Sequence, residues 1–122
     1  AGVALKFIEN AQSGQTGPMI LCVPNGNAID GLRPDDVVEV TCEVGPKGCT
    51  PHRIGAVDEQ NLELIRRVKN YERLASKAIR EKSRAAAVQA LTLHPLVNSY
   101  SLACALTDAY IVHNKDYCDG WH

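Results

Sequence analysis

Apolar side chains recur at helical spacing from the first residues: Val3, Ala4, Phe7, Ile8 and Ala11 share one face of a helix predicted over residues 2–11. The stretch Ser13-Gly14-Gln15-Thr16-Gly17-Pro18 ends it. Met19 to Val23 is a short apolar run between turn residues and predicts a strand. Pro24-Asn25-Gly26-Asn27 then reads as a turn, because Asn and Gly both tolerate positive φ. After Arg33-Pro34-Asp35-Asp36 the period drops to two. Val38, Val40 and Cys42 fall on one side, and Val37, Glu39, Thr41 and Glu43 on the other, which predicts a half-buried strand from Val37 to Val44. Gly45-Pro46-Lys47-Gly48 turns it back through Cys49 to Ile54 as a hairpin.

From Asp58 the pattern is helical. Asp58 is placed to cap a helix whose apolar stripe runs through Leu62, Ile65, Val68, Leu74, Ala75, Ala78 and Ile79 to about residue 80. Ser83 caps a second helix, through Ala85, Val88, Ala90 and Leu91, that must stop before Pro95. A third starts at Asn98 or Ser99, with Leu102, Ala103, Leu106, Tyr110 and Ile111 expected inward. The order helix, strand, hairpin, long helices predicts an α+β fold in which an antiparallel sheet is packed against long helices.

Composition narrows the classes. The 122 residues suit one domain and are 45% hydrophobic and 22% charged, as a globular chain is. Only 5% are aromatic, so Leu, Val, Ile and Ala must form most of the core. A net charge of −1 supplies no field for nucleic acid or an anionic membrane, and neither is expected as a partner. No apolar run approaches the roughly 20 residues that span a bilayer. Five cysteines at irregular spacing (Cys22, Cys42, Cys49, Cys104, Cys118) argue against a secreted disulfide framework and for reduced thiols in a cytoplasm.

Several groupings invite a chemical reading, and each has a structural one. Gly14-Gln15-Thr16-Gly17 follows a helix and precedes a strand, the reverse of a phosphate loop's context. Cys42, Cys49 and His52 lie on two arms of one hairpin, but their spacing does not suit zinc and no fourth ligand is evident. Asp35-Asp36 and Asp58-Glu59 have turn and helix-start roles rather than those of a glycosidase dyad. Lys69, Arg73, Lys77, Arg80 and Arg84 form a basic stripe interleaved with Glu72 and Glu81, which reads as a solvated helix face. His94 stands at a helix end, where capping or packing accounts for it. Asn25 and Asn27 are the candidate substrate-binding residues, since their amides sit on a turn after a strand where they can meet a sugar hydroxyl.

An ordered set of segments carries a resemblance. Val23-Pro24-Asn25 with Ala28-Ile29 comes first, then Val37-Val38-Glu39-Val40 with Cys42. Val68-Lys69-Asn70-Tyr71-Glu72-Arg73-Leu74-Ala75, Ser83-Arg84-Ala85-Ala86-Ala87-Val88-Gln89-Ala90-Leu91 and His94-Pro95-Leu96-Val97 follow, and His113-Asn114-Lys115-Asp116-Tyr117 ends the series. In this order the chain resembles the carboxy-terminal region of glycoside hydrolase family 4, most closely its 6-phospho-β-glucosidases. The element order is also similar to the second half of lactate and malate dehydrogenases, a fold that family shares.

The resemblance implies a parent enzyme that hydrolyses phosphorylated disaccharides by redox-assisted elimination, with NAD and manganese as cofactors. In that family the metal-binding Cys is followed by Asn, and no Cys here is. The family's base lies just ahead of the helix matching Val3 to Ala11. No catalytic, cofactor-binding or metal-binding residue is therefore carried over, and neither NAD nor manganese is expected on this chain alone. Residues 1–122 are expected to be a single C-terminal domain, a fragment lacking the N-terminal NAD-binding Rossmann domain and inactive by itself. Its expected partners are that missing half and further copies of itself, with a phosphorylated sugar as the parent's substrate. The alternative is a stand-alone interaction or binding module derived from the same fold.

Overall fold

The computed structural model describes residues 2–122, which divide after Asp58 into two compact units. The first holds helix α1 (Gly2–Gln12) and strands β1 (Gly17–Pro24), β2 (Val37–Gly45) and β3 (Gly48–Pro51). The second holds helices α2 (Glu59–Glu81), α3 (Arg84–Leu93) and α4 (Tyr100–His113). The fold is α+β.

The three strands form one antiparallel sheet in the order β1-β2-β3. Met19 pairs with Cys42, Leu21 with Val40 and Val23 with Val38. The alternation of β2 decides which face is buried: Val38, Val40, Cys42 and Val44 are inside, while Val37 and Glu39 are exposed. Met19 joins them, and Leu21, Val23, Ile29, Leu32 and Cys49 pack around this cluster. Fully burying Met19, Val38, Val40 or Val44 stabilises the fold by about 1.5–3 kcal/mol each.

The hairpin is shorter than its apolar pattern. β3 ends at Pro51, with one more ladder bond from the His52 amide to the Thr41 carbonyl at 2.8 Å. The chain beyond it leaves the strand and meets the β1–β2 connection instead: the amides of Ile54 and Gly55 both donate to the Ala28 carbonyl, at 2.8 and 3.0 Å. At the other end of β2, Gly45 faces Thr16 so closely that the methyl of Thr16 leaves no room for a Cβ. Helix α1 packs against β2 and β1, yet buries none of its residues, and Val3 and Ile8 stay at least half exposed.

In the helical unit α3 packs against both α2 and α4. Ser83 and Ser99 are the caps, and their hydroxyls accept from the amides of Ala86 and Leu102 at 3.3 Å. Helix α2 turns into α3 through Lys82 in the left-handed region, at φ 50°. That corner is closed by residue 122: the His122 amide donates to the Lys82 carbonyl (3.0 Å) and the Arg84 amide donates to the His122 carbonyl (2.8 Å). Buried positions are few and small: Ala78, Ala86, Val88, Ala90, Ala103 and Thr107. Ile79, Leu102 and Tyr110, expected inward, are exposed. Apolar residues are spread around helix α4, so its pattern fixes no phase, and the small Ala103 and Thr107 take the inner positions. Among the described residues no helix is long and apolar enough to cross a membrane.

Candidate functional site

The turn after β1 is where sequence and structure put a candidate site, and it is built backbone first. Asn25 is 1% exposed. Its amide donates to the Asp36 carbonyl (2.7 Å) and its carbonyl accepts from Ala28 (2.8 Å). Its side chain is spent on one residue: Oδ1 accepts from the Ile29 amide at 2.8 Å, and Nδ2 donates to the Ile29 carbonyl at 3.2 Å. Both ends of the Asn25 amide thus latch the loop from inside. Gly26 follows at φ 54°, a conformation that a residue without a Cβ adopts at low cost.

Asn27 is the other case. Its side chain is exposed, and its carbonyl accepts from the Arg53 guanidinium at 2.6 Å. The same guanidinium donates to Asp30 Oδ1 at 2.8 Å. The Asp30 amide donates to the Gly55 carbonyl at 2.9 Å. Asn27, Asp30 and Arg53 therefore form one solvent-facing polar cluster, carried by the β1–β2 connection and the segment after β3. A guanidinium with five donors, only two of them engaged in these bonds, suits a hydroxyl-rich or anionic ligand. Sequence reasoning missed Arg53 and Asp30. Their contact spans 23 positions, and no local pattern announces it.

The remaining candidates resolve into structure. Asp36 is buried and its carboxylate accepts from the Arg33 amide at 2.9 Å, which is turn chemistry. Asp58 immediately precedes α2 and Glu59 opens it. Cys42 is fully buried; burial first, and the neighbouring Cys49 thiol second, push its pKa up to about 11. His52 does not join these thiols but lies 3.4 Å from Glu43. Among the described residues no three His, Cys, Asp or Glu side chains converge as a metal site would need. All five cysteines carry free thiols.

Each cation of the basic stripe has a local partner, a carboxylate for Lys69, Lys77 and Arg84 and a neutral side chain for Arg73 and Arg80. Lys69 meets Glu72 (2.8 Å), Arg73 meets the Asn70 side chain (2.8 Å) and Arg80 meets the Ser76 hydroxyl (3.1 Å). Arg84 grips Asp108 with two bonds, at 2.6 and 2.8 Å, which raises the guanidinium pKa and lowers that of the carboxyl. His94 caps α3, accepts from the Leu96 amide at 3.2 Å and packs edge-on against Tyr71. A hollow of about 550 Å³ in the helical unit is floored by Ala75, Ala78, Ala87 and Ala90 and walled by Tyr71 and Trp121.

Comparison with known proteins bears on what this scaffold serves. The sequence model described as the Family 4 glycosyl hydrolase C-terminal domain matches residues 2–97. Maltose-6'-phosphate glucosidase MalH of Clostridium acetobutylicum is 34% identical over 99 residues, covering 81% of this chain and 22% of its own. The 6-phospho-beta-glucosidase of Escherichia coli is 38% identical over 78 residues, covering 63% of this chain and 17% of its own. Among solved structures, a 6-phospho-alpha-glucosidase from gut microorganisms in complex with NAD and Mn2+ superposes with a TM-score of 0.87 at 29% identity, over 95% of this chain and 27% of that one. The 6-phospho-beta glucosidase of Thermotoga maritima, holding manganese, NAD+ and glucose-6-phosphate, gives 0.86 at 29% identity over 94% and 30%. The chain thus spans between a sixth and a third of the length of these relatives.

Proposed function

The chain belongs to the family 4 glycosyl hydrolases, and on that premise we propose that it is the C-terminal portion of an NAD- and manganese-dependent 6-phospho-glucosidase. The observation that carries this is the superposition of nearly the whole chain on enzymes whose structures hold NAD, manganese and glucose-6-phosphate. The parent would hydrolyse phosphorylated disaccharides by redox-assisted elimination. Relatives named for α- and β-linked substrates match comparably, so the proposal extends to the 6-phosphoglucosyl unit and not to its linkage.

In this reading the chain is scaffold. The residues described here do not fit a manganese site, since no set of ligands converges, and they offer no glycine loop between strand and helix for a dinucleotide. Both cofactors, the Rossmann domain and the acid–base groups are assigned to the remaining part of the parent. This part contributes the sheet that walls the sugar site, with Asn27 presented at its rim and Asn25 holding the rim in shape. Arg53 and Asp30 fix the Asn27 backbone from outside the turn. Exposed apolar residues on α1, among them Val3, Leu5 and Ile8, supply a surface for that missing part. A cytoplasmic setting agrees with five unpaired thiols. Homo-oligomeric assembly belongs to the same proposal.

The test is an assay of chromogenic 6-phospho-α- and 6-phospho-β-glucosides with NAD and MnCl2. It compares this chain alone with the full polypeptide encoded in frame with it. Hydrolysis of at least one glucoside by the longer protein, and none by the chain alone, is expected. Turnover by the chain alone would overturn the scaffold role. Failure of the longer protein on both substrates would overturn the glycosidase.

A further inference from the structure

We infer that Asn25 is a site of spontaneous deamidation, reactive only while the β1–β2 turn is open, and that the reaction then keeps the turn from closing again. This chemistry needs neither a cofactor nor the glycosidase activity.

It begins with one dipeptide. Asn25-Gly26 is the one Asn-Gly pair among the 122 residues. An asparagine carboxamide can be attacked by the backbone nitrogen of the next residue, and the attack is fastest when that residue has no side chain in the way. The Gly26 nitrogen loses its proton to solvent base and forms a C–N bond to Cγ of Asn25. The Cγ–Nδ2 bond breaks, and Nδ2 leaves as ammonia. The resulting succinimide takes up one water at either of its two carbonyls. One opening leaves aspartate at position 25. The other leaves isoaspartate, in which the main chain runs through the side-chain carbon.

In the closed turn both reacting groups are held. The leaving nitrogen, Nδ2, donates to the Ile29 carbonyl at 3.2 Å, and Oδ1 accepts from the Ile29 amide at 2.8 Å, so the carboxamide cannot rotate. The nucleophile is engaged as well: the Gly26 amide donates to the Pro34 carbonyl at 2.9 Å, which covers its proton. At 1% exposure Asn25 also has little contact with the water that must take the proton and open the ring. All these partners lie between residues 25 and 36, so one local opening frees them together. Giving up three hydrogen bonds corresponds to a closed-turn rate lower by on the order of a hundredfold.

Neighbouring residues lack one half of this combination. Asn27 is exposed, but Ala28 follows it and brings a Cβ to the point of attack. Asp30 is followed by Gly31, but its carboxylate, paired with Arg53, is a poor acyl group. Only at Asn25 does the most reactive sequence coincide with a closed latch.

Neither product fits the latch. Aspartate at position 25 has no N–H for the Ile29 carbonyl and sets a carboxylate oxygen against it where water is scarce. Isoaspartate adds a carbon to the main chain between the amide that donates to Asp36 and the carbonyl that accepts from Ala28. Each opening that ends in reaction is therefore irreversible, and the latched fraction falls with time.

The experiment follows Asn25 by peptide mass mapping during incubation at pH 7.4 and 37 °C, with and without unfolding urea. It uses this chain and the longer polypeptide encoded in frame with it. Deamidation appears as a gain of about one dalton, and fragmentation that recognises isoaspartate separates the two products. Asn25 should react on the order of a hundredfold more slowly without urea. In urea it should outpace Asn27, and Gly26→Ala should slow it to the pace of Asn27. Asn25→Asp, made directly, should lower the urea midpoint and speed Ile29 amide exchange. Equal rates with and without urea in the folded longer polypeptide would show that the turn gates nothing. An Asn25 rate that Gly26→Ala leaves unchanged in urea would refute attack by the next nitrogen. A midpoint and an Ile29 exchange rate that Asn25→Asp leaves unchanged would refute the one-way step.

Discussion

Replacing Asn25 by Ala should destabilise the first unit far more than replacing Asn27, although the two residues share one turn. Asn25→Ala removes the bonds to the Ile29 amide (2.8 Å) and the Ile29 carbonyl (3.2 Å). Two intramolecular hydrogen bonds contribute roughly 2 kcal/mol together, and the Ile29 groups left behind are only partly reachable by water, which adds up to about 1 kcal/mol. The expected loss is therefore about 2–3 kcal/mol, with no compensation from solvent at a side chain that is 1% exposed. Asn27→Ala exposes no new polar group and should stay within about 0.5 kcal/mol. Urea unfolding followed by far-ultraviolet circular dichroism measures both. Hydrogen exchange at Ile29 gives the local view, where 2 kcal/mol corresponds to about a 30-fold faster opening-limited rate. If Asn25→Ala costs less than Asn27→Ala, or leaves Ile29 exchange unchanged, the latch is not what holds the loop.

Three further outcomes follow from the geometry. Because Arg84 lowers the folded-state pKa of Asp108, the pair supports folding above the ordinary carboxylate range and loses that support as pH falls through the lowered value. The melting temperatures of the natural chain and Asp108→Asn should accordingly converge on acidification, and a gap that widens would contradict the sign. Brief alkylation at pH 8 with peptide mass mapping should label exposed Cys22 and spare Cys42, whose thiolate fraction at a pKa of about 11 is roughly a thousandth; equal labelling would refute its burial. Gly45→Ala should lower the unfolding midpoint, and Thr16→Ser, which removes the methyl that fills the space, should restore most of it; additive losses would place the strain elsewhere.

Much of the fold can be read from the chain because its signals are local. The alternation of Val38, Val40 and Cys42 is a property of nine adjacent residues, and Ser83 and Ser99 each act on an amide three positions away. Pro95 stops α3 for steric reasons that involve only its neighbours. Features that depend on distant partners are not written locally. The length of β3 reflects the pull of the Ala28 carbonyl on the amides of Ile54 and Gly55, a partner more than 20 positions away. The apolar stripe of α1 predicts an inner face, but nothing in its own unit buries it. In the site, Asn25 and Asn27 look equivalent in sequence, two amides on one turn. Only the fold shows that one points inward to Ile29 and the other outward, with Arg53 arriving from 26 positions along the chain to hold its carbonyl.

The corner between α2 and α3 bears on how the helical unit assembles. Its helices can nucleate and pair through contacts near in sequence, which form fast. The corner cannot, because Lys82 and Arg84 wait for the backbone of His122, about 40 residues on. The α2–α3 hairpin should therefore reach its transition state with this corner still open, giving φ-values near zero for substitutions there. Stabilising the corner would then slow unfolding while leaving the folding rate almost untouched, so this part of the chain governs how long the helical unit persists rather than how quickly it forms.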